Sequence, residues 1–258
     1  MAFGTVVFLL DVDNTYVNGG VIWRGADYWV QAKLEGLTLD ELLARSEVVT
    51  VGIDGGGLDD MLGLAAIGRA KGSLEWLLWN HAWVQAEVLD LRKDIAEKLR
   101  DFEADHDLTI CKSATEDIKG AADIVERIHL ARLLPEKLGV GLDPYAISAL
   151  VDELATRKIE GEMITGIRQG SALSPASWGM ERKLKDGTLW HSGSRLMAWC
   201  VGNARVEQRG NAILITKQAA GKAKIDPLVA TFNAVMLMSR NPEMRPVSVY
   251  EKLAELAA

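Results

Sequence analysis

The stretch Glu47-Val-Val-Thr-Val-Gly-Ile-Asp54-Gly-Gly-Gly57 constrains this chain more than any other. From Glu47 to Ile53 it is β-branched and apolar, the pattern of a buried strand. It then ends on a carboxylate and three glycines. Glycine after a strand lets the backbone turn sharply and lets a ligand approach bare main chain. A carboxylate at such a strand tip suits a hard cation. The same residues also make an ordinary turn, because Asp and Gly are frequent in turns. What separates the two readings is whether other carboxylates share the place.

The 258 residues suffice for one large domain or two small ones, with a sizeable core. The apolar run Thr5 to Leu10 is far too short to span a bilayer. It lacks the basic lead-in and small-residue cleavage site of a signal peptide, so no membrane partner is expected. Cys111 and Cys200 have neither metal-ligand spacing nor a disulfide framework, which fits a reducing compartment. The net charge of −7 argues mildly against nucleic acid. Yet between Arg182 and Lys224 nine basic residues face two acids. A local basic face on an acidic protein can contact phosphates, although scattered surface lysines give the same count.

The chain opens on an apolar strand ending in Asp11-Val-Asp13-Asn-Thr15. This resembles the first motif of haloacid-dehalogenase-type phosphatases, and the resemblance implies Asp11 as nucleophile and Asp13 as general acid. The family also needs a late acidic pair, and Asp59-Asp60 comes too early for it. Thr38 with Glu41 three residues later forms a capping box, so a short helix leads into the Glu47 strand. Met61 to Ile67 and Leu74 to Val84 read as two further strands of an antiparallel meander. Trp76, Trp79 and Trp83 also fit a helix face. Leu108 to Cys111 is a short strand, and Glu116 to Leu134 an amphipathic helix. Val140-Gly-Leu-Asp143-Pro144 is again a strand ending in aspartate, with a helix over 146–156 behind it. Asp143 suits an N-cap and Pro144 the first helical turn. It also stands at the carboxyl end of a strand, where α/β sheets place their ligands. A strand over Glu162 to Ile167, helices through Lys185 and over Ser194 to Ala204, and a hairpin around Arg209-Gly-Asn211 follow. Asp226-Pro227 then opens an apolar helix over Leu228 to Ser239, repeating the arrangement at Asp143-Pro144.

Three strands, helix, strand, helix and a last helix opened by an acid is the order of a ribonuclease-H-like α/β fold, a mixed sheet flanked by helices. The expected division is an N-terminal segment over 1–46 and a nuclease domain over 47–258. In that fold the tips of the first and fourth strands lie side by side and the last helix packs on the sheet. Asp54, Asp143 and Asp226 would then converge and could hold two Mg²⁺ or Mn²⁺ ions about 4 Å apart. Carboxylates that close repel, so the site would need its metal.

From about Trp23 onward the chain resembles the nuclease domain of a bacteriophage terminase large subunit. The resemblance rests on Thr38-Leu-Asp-Glu-Leu-Leu-Ala-Arg-Ser46, Val49-Thr-Val-Gly-Ile-Asp-Gly-Gly-Gly-Leu-Asp-Asp60, Leu196-Met-Ala-Trp-Cys-Val-Gly-Asn-Ala204, Ile215-Thr-Lys-Gln-Ala219 and Lys224-Ile-Asp-Pro-Leu228. It implies two-metal cleavage of concatemeric viral DNA during packaging, with the family's acids falling on Asp54, Asp143 and Asp226. It implies double-stranded DNA as partner, with the small terminase subunit and the portal beside it, in the cytoplasm of a bacterial host. Arg182, Lys183, Lys185, Lys222 and Lys224 are the expected DNA contacts. The chain has no Gly-x-x-x-x-Gly-Lys-Ser/Thr loop, so the expectation is a separated nuclease or a prophage remnant without the packaging ATPase. The first twenty residues depart from the family and read as a gene junction. The competing functions are a phosphatase using Asp11 and a non-catalytic remnant that binds DNA or packaging partners. His191 and Glu162 are polar groups with no argument to place them.

Overall fold

The computed structural model describes residues 21–57, 60–144, 148–217 and 224–245; Asp11, Asp13, Asp59 and Lys222 lie outside the described residues. A two-residue strand, β1 (Val21–Ile22), and a short helix, α1 (Ala26–Trp29), come first. Between them the buried Trp23 donates its indole N–H to Ser177 Oγ at 2.9 Å and meets Phe232 edge-on at 5.5 Å. Helix α2 (Leu39–Arg45) is capped as the sequence predicts: the Thr38 hydroxyl accepts the Glu41 amide at 3.2 Å. That amide has no partner within the helix, so the cap satisfies it.

The chain then enters β2 (Ser46–Gly55), which with β3 (Met61–Ala70) and β4 (Trp76–Gln85) makes the expected antiparallel meander. The three tryptophans therefore lie on a strand. Its alternation sends Trp76 into the core on one face of the sheet and Trp83 into the core on the other. The charged stretch that follows folds as α3 (Glu87–Leu91) and α4 (Ala96–Ala104), leading to β5 (Leu108–Cys111), parallel to β4. Helix α5 (Glu116–Leu130) crosses back to β6 (Val140–Leu142), which pairs in parallel with β2. After α6 (Ser148–Thr156), β7 (Ile164–Gly166) adds in parallel to β6. This strand is shorter than the sequence predicts because Gly161–Met163 wind into a 3₁₀ turn, entered through Gly161 at φ +61°.

The order β5-β4-β3-β2-β6-β7, with β2 to β4 antiparallel and the rest parallel, is the ribonuclease-H-like arrangement. Helix α7 (Ser174–Lys185) leads to β8 (Leu189–His191), which pairs with the start of β4. Helix α8 (Arg195–Asn203) precedes the hairpin β9 (Ala204–Arg209) and β10 (Ala212–Lys217), which with β1 forms a second, three-stranded sheet. Helix α9 (Asp226–Met238) is the last element among the described residues.

Helices α2, α5 and α6 pack on one face of the large sheet; α7, α8 and α9 pack on the other. With both faces covered, β2 has no reason to alternate polar and apolar residues, which is why it reads as a continuous apolar run. Helix α9 lies unusually close to β2. A Cβ on Gly52 would stand 2.0 Å from the Ala230 carbonyl oxygen, so glycine is what permits the approach. Polar side chains fix the helix there. Thr50 Oγ1 donates to Ala234 O at 3.0 Å, Asn233 Nδ2 to Ile53 O at 3.0 Å, and Asn80 Nδ2 to Thr231 Oγ1 at 2.9 Å. Among the described residues no helix is long and apolar enough to cross a membrane.

Candidate metal centre

Asp54 stands at the tip of β2, two residues after Gly52 and therefore on the same face of the sheet, toward α9. Ile53 is level with Leu142 in the parallel β2–β6 pair, so Asp143 leaves the neighbouring strand beside Asp54. Asp226 is the first residue of α9. Gly55 turns the chain at φ +85°, in the left-handed region that favours glycine. A Cβ there would meet the Met61 carbonyl oxygen at 2.0 Å and Asp226 Cβ at 3.7 Å, which places the turn against the helix start. The hairpin then brings a fourth acid to the place. Asp60 Oδ1 accepts the Met61 amide at 2.9 Å and also the ammonium of Lys224.

These acids act on one another. The Asp54 carboxyl is pushed up from 3.8 to about 8, first by burial and then by the charges of Asp226, Asp143 and Asp60. Asp226 is pushed up to about 6 by burial and by Asp60, with Lys224 and Lys217 opposing. Its Oδ2 atom is buried and has no hydrogen-bond partner among the described residues. A buried carboxylate oxygen without a partner is costly and calls for an explanation. Among the described residues no three His, Cys, Asp or Glu side chains close round a common point. The four aspartates instead share one electric field from separate elements. An all-carboxylate donor set fits a hard divalent ion such as Mg²⁺ or Mn²⁺.

The cap reading of Asp226 does not match its position. Ile225 is the N-cap and makes no side-chain cap bond, while Asp226 and Pro227 are already inside the first turn. Asp143 directly follows β6, and α6 is described only from Ser148.

The expected DNA contacts among the described residues fall in two places. Lys224 is 5% exposed and its ammonium rests on Asp60, so it does not face solvent. Lys183 lies over the Trp76 ring at 4.3 Å and donates to Leu74 O at 3.0 Å. Trp76 is six residues before Ala82, the β4 residue level with Gly63 and Asp54, so Lys183 sits about 20 Å along the strand from the acids. Arg182 and Lys185 share that last turn of α7. His191 is buried far from the acids, stacked on Trp29 at 3.8 Å with Nε2 against Trp29 O at 2.7 Å. Burial holds its imidazole neutral, down at about 4. Glu162 pairs with Lys137 on the surface. Burial keeps the Cys200 thiol protonated, with Asp226 adding to the effect, so it is no nucleophile.

Sequence reasoning missed three groups. Asp60 could have been found as an acid that a short hairpin returns beside a strand-tip acid. Lys217, at the end of β10, acts on Asp226. Arg168 is exposed just after β7, on the same sheet edge as Asp54 and Asp143.

A family model described as the endonuclease domain of the terminase large subunit matches residues 23–241. The large terminase of bacteriophage HK97 superposes with a TM-score of 0.59 at 19% identity, over 76% of this chain and 42% of that one. The chain thus spans less than half the length of that terminase. The large terminase nuclease of thermophilic phage G20c, solved with bound magnesium, gives 0.48 at 10% identity over 86% and 98% of the two chains. The nuclease domain of the phage SPP1 large terminase, solved with bound manganese, gives 0.42 at 18% identity over 81% and 95%. No curated protein matches.

Proposed function

Because the chain belongs to the terminase large-subunit endonuclease-domain family, we propose that it is a metal-dependent endonuclease. It cuts double-stranded viral DNA concatemers for packaging, in the host cytoplasm, beside a small terminase subunit and a portal. Asp54, Asp143 and Asp226 are its metal-holding acids. The observation that carries this reading is the buried, unpartnered Asp226 oxygen beside Asp54, whose own carboxyl lies in the field of Asp226, Asp143 and Asp60. Acids buried together oppose folding, and such groups gather where chemistry uses them.

Asp54, Asp143 and Asp226 would hold two Mg²⁺ or Mn²⁺ ions, which would supply an activated water and charge stabilisation for the leaving oxygen of a phosphodiester. The chain does the positioning. The β2 tip and the first turn of α9 hold Asp54 and Asp226 on rigid elements. Asp54 must give up its proton for the site to fill, since burial holds it up at about 8. Gly55 leaves the main chain bare beside the acids. Arg168, exposed just after β7, and Lys217, whose charge reaches Asp226, suit the phosphates flanking the cut. Arg182, Lys183 and Lys185 serve a longer track of backbone, without sequence preference.

The test is incubation of linear duplex DNA with the protein and Mg²⁺, Mn²⁺ or EDTA. Metal-dependent cutting is expected. A folded protein that cuts nothing and gains no thermal stability from either metal would sink the proposal.

A further inference from the structure

Lys224 is placed in a way that phosphate contact does not explain. Its side chain is 6% exposed, and its ammonium rests on Asp60, whose side chain is 42% exposed. A lysine so buried is rare without a pairing partner. Both ends of the pair are tied to main chain. Asn203 Nδ2 donates to Lys224 O at 3.1 Å, and Asp60 Oδ1 accepts the Met61 amide. Between those anchors only the flexible four-carbon stem of the lysine is free to swing. The ammonium sits among acids that lack compensation: Asp226 Oδ2 is buried and unpartnered, and Asp226 carries the charge of Asp60 against it.

We infer that Lys224 is a tethered counter-cation for the acid cluster, resting on Asp60 while no divalent ion is bound and leaving it when one arrives. The inference rests on the metal-dependent reading above. An ammonium supplies one charge and hydrogen bonds; a divalent ion brings two charges to direct oxygen contact and displaces it. Lys224 thereby limits repulsion in the ion-free protein and, by competing, lowers its affinity for metal. This makes it a positioning residue for Asp60.

Two measurements on the full chain test this. In the first, surface lysines of the wild-type protein are acylated with acetic anhydride, with and without saturating Mn²⁺, and Lys224 is followed by mass spectrometry. Protection without Mn²⁺ and several-fold faster labelling with it are expected. In the second, Mn²⁺ binding to Lys224→Gln is measured by calorimetry. Binding about tenfold tighter than wild type is expected, with a lower melting temperature in EDTA. Lys224→Arg, which keeps the charge, should bind as wild type does. Labelling that does not change while Mn²⁺ is bound overturns the inference and leaves the nuclease intact. So does a Gln variant that binds Mn²⁺ no more tightly. If Lys224→Gln does not fold, the labelling decides. Wild-type protein that binds no Mn²⁺ at all overturns both this inference and the nuclease reading.

Discussion

The bare Cα of Gly63 lies against Pro227 so closely that a Cβ would stand 2.7 Å from the proline nitrogen. Gly63 is also the partner of Asp54 in the β2–β3 ladder. This contact between a strand and a helix therefore helps set the spacing between Asp54 and Asp226. Gly63→Ala should push the first turn of α9 off the sheet, at a cost of about 1–3 kcal/mol. Urea denaturation should show the loss, and the thermal shift on adding Mn²⁺ should shrink. Gly179→Ala, in α7 with nothing near its added Cβ, should leave the Mn²⁺ shift unchanged.

Asp54→Asn should stabilise the ion-free protein. Asp54 in the folded chain holds its proton up to about 8, whereas the unfolded chain loses it near 3.8. Between those values the folded state binds more protons, so this group's contribution to stability falls as pH rises. The half-buried imidazole of His81 and the buried one of His191, held neutral down to about 4, tilt stability the other way at lower pH. They do so in both proteins and cancel in the difference. The gain of Asp54→Asn over wild type in EDTA should therefore grow with pH and level off above about 8. A gain that shrinks with rising pH would contradict the raised carboxyl.

Mn²⁺ binding near neutral pH should release protons. Asp54 is largely protonated there without an ion and must ionise to bind one, so about one proton is expected per site filled. Calorimetry in buffers of different ionisation enthalpy measures the number. Equal heats in every buffer would count against Asp54 as a ligand.

Ser177→Ala separates stability from chemistry. It removes the Ser177 acceptor of the buried Trp23 indole N–H, which keeps its hydrogen bond with the Glu181 carboxylate, and costs about 1 kcal/mol. Cleavage per folded molecule should not change.

Replacing Arg182 and Lys185 with alanine should weaken binding to any duplex alike. The slope of log affinity against log salt should flatten by about 0.9 for each phosphate no longer neutralised. Because the last turn of α7 is at the opposite end of β4 from the acids, the cutting rate of bound DNA should hold.

Much of this fold is written in short-range pattern. The apolar run into Asp54, the Thr38–Glu41 cap, β5 at Leu108–Cys111 and the hairpin about Gly210 each follow from a few adjacent residues. So does Asp54 as a strand-tip acid. What stayed hidden depends on long-range contact. Lys224 reads as a surface base by residue type, yet its partner is Asp60, 164 residues away in sequence. The α7 bases are close to Asp226 in the chain but far from it in the sheet, since β8 ties them to the start of β4. Asp226 slid from cap to first turn because Ile225 takes the boundary, a shift of one residue that pattern does not resolve.

The most direct measurement is nicking of supercoiled plasmid by the wild-type chain and by Asp226→Asn, in Mn²⁺, Mg²⁺ and EDTA. Wild type should convert the plasmid to open circle and linear forms with either metal and not with EDTA. Asp226→Asn, with an unchanged circular dichroism spectrum, should not. Equal nicking by the two proteins would show that the cluster at the start of α9 is not the catalytic centre.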